Sequence, residues 1–332
     1  MRIILNTQFI LKTVAIALIT SALSANELRA QTIDYPNKPI RLIAPFAAGG
    51  SIDILARMTA DTLSKATNQA VIVENRPGAS GNIGMEAVAR ARPDGYTLLF
   101  ASTNLTLNPA VYPKVSFDPI KDFIAVTNVA YAPMILMTRP DFGGDSLQSL
   151  IQYGKSNPGK LNFSSSGAGG APHLAGEMFQ ILTNIKMTHI PYAGAAPAIT
   201  DIISGQVQIT FTTYISAQAM LNSGRIRGLA VASLERLAAL PQIPTFKEEG
   251  FEGMEFGTMF GLLAPAGTSV EIVNRLYQAI KIAATNPTFQ ENISKQGGYM
   301  VVNTPAEYDK YIKEDVAKWD SFIKKIGGVS QN

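Results

Sequence analysis

The sequence predicts an α/β protein of two domains, each a parallel sheet covered by helices. Three observations carry that reading. Short apolar runs alternate with segments of helical periodicity almost from end to end. The chain has 332 residues, and about 300 remain once an N-terminal leader is set aside, a length typical of two domains that each bury a core. A glycine-rich junction between strand and helix occurs once in each half, at residues 45–53 and 164–173.

The first thirty residues are read apart from the fold. Arg2 and Lys12 precede an apolar run over residues 13–23, and small residues follow up to Ala30. This is the layout of a secretory signal peptide, too short to span a bilayer. Cleavage is placed after Ala30, with Ala25 as the fallback. The mature chain then opens a β-α-β-α-β series. Residues 40–44 read as a strand, and Leu55, Ala56, Thr59 and Leu63 mark the helix that runs on from Ile52. Ser51 is placed as its N-cap, and Asp53 favours its dipole. A strand over 71–74, a loop over 75–81, a helix over 82–91, a strand over 96–101 and a polar loop over 102–104 follow. Two apolar runs over 126–138 pass through Ala132-Pro133.

The second series comprises a helix over 146–156, a strand over 161–164, the second glycine-rich loop and a helix over 173–182. Strands over 187–190, 206–211 and 226–232 enclose a helix over 195–204. A strand over 260–264 returns to the first domain, and helices over 270–284 and 305–326 close the chain. The crossings fall near 131–138 and 252–262. The first domain is therefore 31–133 together with 255–332, and the second is 134–254. A cleft between such domains is a usual place for a small ligand.

Composition narrows the function. No cysteine is present, which removes disulfides, thiolate metal sites and a lipid-modified cysteine at the export boundary. The formal charge of +3 falls to about +1 without the leader, and the charges are scattered. No basic run occurs and there is one Trp, so nucleic acid is not expected as a partner. No later stretch is apolar and long enough to cross a membrane. An exported soluble protein of this kind points to a bacterial periplasm.

Both glycine-rich junctions can bind an anion without a cation. N–H groups at a helix start carry partial positive charge, and Gly49 and Gly50 clear the approach to them. Neither loop contains Lys or Arg. Arg57 lies four residues after Asp53, the spacing of an ordinary helical ion pair. Facing each other, the loops would supply amides and hydroxyls from both walls of a cleft.

Enzyme motifs do not fit. Residues 167–172 approach G-x-G-x-x-G, but Pro172 replaces the last glycine and no acid follows at the ribose-binding distance. The phosphate loop and the serine-hydrolase elbow are absent. His173 and His189, the two histidines, lack metal-ligand spacing; His173 reads as a cap or cleft wall and His189 as a core residue. A paired-carboxylate glycosidase is not excluded by spacing, though no acid asks for that role. No cofactor, metal or catalytic residue is expected.

The chain resembles the Bug-type (TctC-like) extracytoplasmic solute receptors of tripartite tricarboxylate transporters. The resemblance rests on Tyr35-Pro36-x-Lys38-Pro39-Ile40, residues 45–53 with Ala56-Arg57, residues 73–84, Pro93-Asp94-Gly95-Tyr96-Thr97-Leu98 and residues 108–113. It continues through His173-Leu174-Ala175-Gly176-Glu177, His189-Ile190-Pro191-Tyr192 and residues 261–268. It implies a two-domain periplasmic-binding-protein (Venus-flytrap) architecture that captures a small organic acid and delivers it to membrane permease subunits or a sensor kinase. A monomer is expected. By the same resemblance the ligand lies among Phe46, Ala48, Gly49, Gly50, Ser51 and Asp53 of the first loop and Ser165, Ser166, Gly167 and His173 of the second. Ser102, Thr103, Asn104, Gly194, Ala195 and Thr213 complete the expected site. The chain departs from its relatives at residues 212–216, where Tyr214 is expected to reshape the wall, and at Ala193, where relatives usually carry Lys. An exported enzyme acting on a small carboxylic acid in the same cleft is the alternative; an interaction protein without ligand is a third class.

Overall fold

The structure, a computed structural model, describes residues 34–112, 114–325 and 327–328. The expected signal peptide lies outside them. β1 (Ile40–Ala44), β2 (Val71–Asn75) and β3 (Thr97–Ser102) pair in parallel in the order β2-β1-β3. Helices α1 (Ser51–Thr67) and α2 (Asn82–Ala89) connect them, as parallel neighbours require a long crossover. β5 (Leu161–Ser165), β6 (Met187–Pro191) and β7 (Ile209–Thr213) repeat the arrangement in the order β7-β5-β6, connected by α5 (Ala171–Thr183) and α6 (Ala195–Ser204). The remaining members of these two series are α3 (Asn104–Val111), α4 (Leu147–Ser156), α7 (Tyr214–Asn222) and β8 (Arg227–Val231).

Two antiparallel strands bind the series together. β4 (Phe123–Thr138) is one strand of 16 residues rather than two runs. Its stretch from Phe123 to Pro133 pairs with β9 (Gly257–Pro265), with bulges at Val126 and Val129, and β9 lies between β3 and β4. From Met134 onward β4 pairs with β7 on one edge and β8 on the other. Pro133 stands where the partners change. Proline brings no N–H to a ladder, so the end of one pairing is a position that tolerates it. With one strand in both ladders, everything from Lys38 onward forms a single compact unit.

The C-terminal segment adds α8 (Val270–Ala284), α9 (Pro287–Lys295), β10 (Tyr299–Met300) and α10 (Pro305–Lys325). α10 touches two apolar cores. Tyr308 and Ile312 pack with Ile43, Met85, Leu99 and Leu263, whereas Trp319 and Ile323 join Phe163, Phe179, Phe211 and Phe246. Between these contacts the buried Asp315 accepts hydrogen bonds from Thr106 Oγ1 of α3 (2.5 Å) and from Trp319 Nε1 (2.9 Å).

Several local expectations change. Gly50, not Ser51, is the N-cap of α1, because the helical backbone begins one residue earlier than the apolar stripe suggests. α5 starts at Ala171, so His173 is its third residue. The loop at 102–104 already opens α3, and Tyr214 opens α7. α7 is nine residues of weak amphipathicity, which periodicity does not reveal.

Replacing Asp315 with Leu leaves the Trp319 indole N–H buried without its acceptor, while the Thr106 hydroxyl keeps the Thr103 carbonyl (2.9 Å). A buried donor left unsatisfied costs about 1–3 kcal/mol, so Asp315→Leu is expected to lower the unfolding free energy by about 2 kcal/mol. Urea denaturation followed by Trp319 emission measures this directly, and an unshifted midpoint would show that Asp315 is not what fastens α10.

Candidate functional site

Five helices begin at one cavity. Gly50, Ser51 and Ile52 come from the start of α1, Ser102 and Asn104 from that of α3, Pro172 from α5, Ala195 from α6, and Thr212, Thr213 and Ser216 from α7. Each of these helices follows the carboxyl end of a parallel strand: β1, β3, β5, β6 and β7. The topology therefore gathers their N-termini at one place. Phe46 and Ser166 enter from the two glycine-rich loops, and Met134, Thr258 and Phe260 come from β4 and β9.

The capping of these helices separates them from the others. Gly50, Thr103, Gly170, Gly194 and Thr213, the N-caps of the five converging helices, give no side-chain cap bond. Elsewhere Ser146 caps α4, Ser269 caps α8, Asn286 caps α9, and Thr304 with Glu307 forms a reciprocal cap on α10. α2 opens directly out of a 3-10 turn at Ala79–Gly81 and is uncapped too. Around the cavity no N-cap side chain takes a first-turn N–H; the Ser51 N–H meets Ser216 Oγ across the cavity and the Asn104 N–H meets Ser102 Oγ (3.4 Å). Each N-terminus carries roughly half a positive charge. Among the described residues, none that lines the cavity is ionisable; hydroxyls of Ser51, Ser102, Ser166, Thr212, Thr213, Ser216 and Thr258 surround an apolar floor of Met134 and Phe260. Such a lining accepts an organic anion through amides and hydroxyls and stacks its carbon part on the floor.

Asp53 holds the first loop in shape. Its carboxylate accepts from the Gly49 N–H (3.0 Å) and Asn75 Nδ2 (3.0 Å) and pairs with Arg57 (2.8 Å). Burial pushes its pKa up, but the hydrogen bonds from Arg57, Gly49 and Asn75 outweigh burial and hold it below the ordinary value. Gly49 sits at φ +84°, a conformation that favours glycine.

The second loop rests on the two histidines. Ser165 Oγ bonds the Gly167 carbonyl (2.9 Å) and lies 2.6 Å from His189 Nε2. His173 Nδ1 accepts from the Gly169 N–H (2.8 Å), which assigns its ring proton to Nε2, 3.3 Å from Glu177. The two rings stack at 3.6 Å with 9° between their planes. Burial and the adjacent His173 push the His189 pKa down to about 3, so His189 is neutral in this arrangement.

Four hydrogen bonds run from the first loop and its neighbours to the second series. The Ser51 N–H donates to Ser216 Oγ (2.9 Å) and the Ala47 N–H to the Ala193 carbonyl (3.3 Å). Ser80 Oγ and the Tyr112 hydroxyl both donate to the Ala168 carbonyl (2.7 and 2.6 Å).

Of the residues expected at the site, Phe46, Gly50, Ser51, Ser102, Asn104, Ser166, Ala195 and Thr213 line the cavity. Gly167 borders an adjoining one. Ala48, Gly49, Asp53, Thr103, Ser165, His173 and Gly194 stand off the lining. Thr103 Oγ1 accepts from the Met259 N–H (3.0 Å), Gly194 packs against Ala47, and Asp53, Ser165 and His173 support the loops. Tyr214 does not form the wall either: it is buried, in a cluster with Ile135 and Ile199. Ile52, Met134, Pro172, Thr212, Ser216, Thr258 and Phe260 complete the lining beyond the expected set. Thr212 and Ser216 lie in the stretch 212–216 that the resemblance singles out, the one signal that could have pointed to them.

A family model described as the tripartite tricarboxylate transporter family receptor, TctC, matches residues 55–328. The protein BugT of Bordetella pertussis (strain Tohama I) is 33% identical over 325 residues, which cover 97% of this chain and 99% of BugT. Among solved structures, R. palustris Rpa4515 with adipate has a TM-score of 0.87 at 31% identity, covering 89% of this chain and 99% of that one. MatC of Rhodopseudomonas palustris with bound malate has a TM-score of 0.81 at 28% identity, covering 86% and 99%. A TctC solute binding protein from Polaromonas without ligand has a TM-score of 0.62 at 30% identity, covering 88% and 99%. The fold is the two-domain α/β fold of periplasmic binding proteins, in line with the sequence.

The half-buried His189 imidazole sets a pH dependence whose sign is fixed. Between pH 6.5 and about 3 the unfolded chain binds a proton at His189 that the folded chain does not. Stability is therefore full above pH 6.5 and falls as the pH drops below it, by at most about 1.4 kcal/mol per unit. Asp53, with its lowered pKa, adds a loss only further down, below its unfolded value of 3.8. In thermal melts between pH 7 and 4.5, His189→Gln should lose distinctly less stability than the wild type, by about 2–3 kcal/mol; parallel curves would remove His189 as the cause.

Proposed function

The chain belongs to the tripartite tricarboxylate transporter receptor (TctC) family, and from that premise we propose that it captures a small organic acid by domain closure and delivers it to a permease of that transporter type. The proposed location is the periplasm, reached through the N-terminal leader. The observation that carries this reading is the convergence of five helix starts without side-chain caps on a cavity without ionisable side chains. A carboxylate satisfies those donors. A cation does not.

Closure follows from the same geometry. We place the hinge where β4 changes partners at Pro133 and Met134, beside the start of β9, which divides the domains as 31–133 with 255–332, and 134–254. Opening there would separate the start of α1 from the starts of α6 and α7 and break the bonds from Ser51 to Ser216 and from Ala47 to Ala193. The acid favours the closed state because only that state offers both sets of donors. The relatives support this: the chain superposes better on the adipate-bound protein, at 0.87, than on the ligand-free one, at 0.62, although the identities are 31% and 30%. The adipate- and malate-bound relatives also favour a carboxylate. No step of chemistry is required of any residue here, and delivery to a sensor kinase would use the same closed form.

A thermal-shift screen of carboxylic acids tests the reading. An acid at a hundredfold excess over its Kd should add about 2.7 kcal/mol of stability; conversion of any bound acid to product, followed by NMR, would favour the enzyme instead. Gly50 provides the control. Its φ of −86° suits any residue, and a Cβ there would meet Ala195 Cβ at 3.7 Å, an ordinary contact. Gly50→Ala should therefore fold normally, whereas Gly50→Leu should fold yet lose the ligand-induced shift. A retained shift in Gly50→Leu would remove the first loop from the site.

A further inference from the structure

Two cavities meet at Phe46. The inner one holds the converging helix starts; the outer one is bordered by residues 78–81, Tyr112, Ala168 and Pro191–Ala193. Phe46 and Ser166 are the two residues that border both. Counted at the centres of water-sized molecules, the inner cavity measures about 40 Å³ and the outer about 280 Å³. At roughly 10–15 Å³ per water, the inner one has room for three or four waters.

The partition is held from behind. The Phe46 carbonyl accepts from Asn75 Nδ2 at 3.1 Å, and its ring presses on Gly81 so closely that a Cβ there would stand 3.0 Å from the ring. Gly81 ends a run of four residues with positive φ, of which Ala79 and Ser80 are not glycine. Such a run persists only where its surroundings impose it, and here Ser80 is tied to the Ala168 carbonyl. The outer cavity offers space more than recognition. Its Ser80 and Tyr112 hydroxyls are both committed to Ala168, and Ala79, Pro191 and Ala193 give it apolar walls.

We propose that Phe46, backed by Ser166, is a septum that confines the wild-type ligand to short-chain carboxylic acids. The proposal rests on the receptor reading above. The carboxylate takes the inner cavity, where the amides are, and a longer carbon tail could reach the outer cavity only through the space of the Phe46 ring. Removing the ring joins the two, and each methylene then buried should add about fourfold in affinity.

The test is calorimetry and thermal shift with linear monocarboxylic acids of two to eight carbons, plus malate and adipate, against wild type, Phe46→Ala and Phe46→Leu. Wild type should bind acids of two to four carbons and malate better than the longer members. Phe46→Ala should move the optimum at least two carbons upward and favour adipate over malate, with Phe46→Leu between them. A wild-type optimum at six to eight carbons, or a Phe46→Ala variant whose affinities fall uniformly, would overturn the septum and leave the receptor reading standing. Absence of a shift with every acid in the wild type would count against the receptor reading itself. Phe46→Leu keeps an apolar side chain at the position, so it decides the matter if Phe46→Ala does not fold.

Discussion

A helix cannot satisfy the first N–H groups of its own backbone, and the architecture follows from where those groups are left. Side chains close the starts of α4, α8, α9 and α10. The five helices that begin at the cavity are without such closure. Backbone donors want an acceptor, so helix starts without a side-chain cap favour an acceptor brought into the cavity. The glycines, the histidine stack and the Asp53 clamp all act to keep that set of donors facing inward.

Chain topology is what makes the set possible. Parallel strands deliver every following helix to the same edge of the sheet, and two such series would point their helix starts to separate places. β4 prevents this by serving both ladders, and β9 fills the gap between β3 and β4. α10 then bridges the cores from outside through Tyr308 and Trp319. The floor of the cavity, Met134 and Phe260, belongs to these linking strands rather than to either loop. Under the proposed closure, recognition and hinge would draw on adjacent residues of one strand, Pro133 and Met134.

Much of this was legible in the sequence because the relevant signals are local. Strand-helix alternation fixed the α/β class, and α6 and α8 have the boundaries read from periodicity alone. The glycine-rich loops announced their helix starts, and Phe46, Gly50, Ser51 and Ser166 do line the cavity. What escaped depends on pairing across the chain. Met134, Thr258 and Phe260 carry no motif, and only the register of β4 with β9 brings them together. Ser216 required knowing that Tyr214 opens a short helix. The resemblance places Asp53 and His173 among the ligand contacts; in this structure their hydrogen bonds go to the two loops rather than into the cavity.

The absence of ionisable groups from the cavity wall has a thermodynamic consequence. A site that holds an anion with a histidine couples binding to proton uptake near neutrality. Here the wall has no proton to give or take. The lining itself thus adds no proton exchange to that of the acid in solution, which enters through the fraction that is ionised. Salt, by contrast, should still weaken capture, because it screens the partial charges of the helix termini.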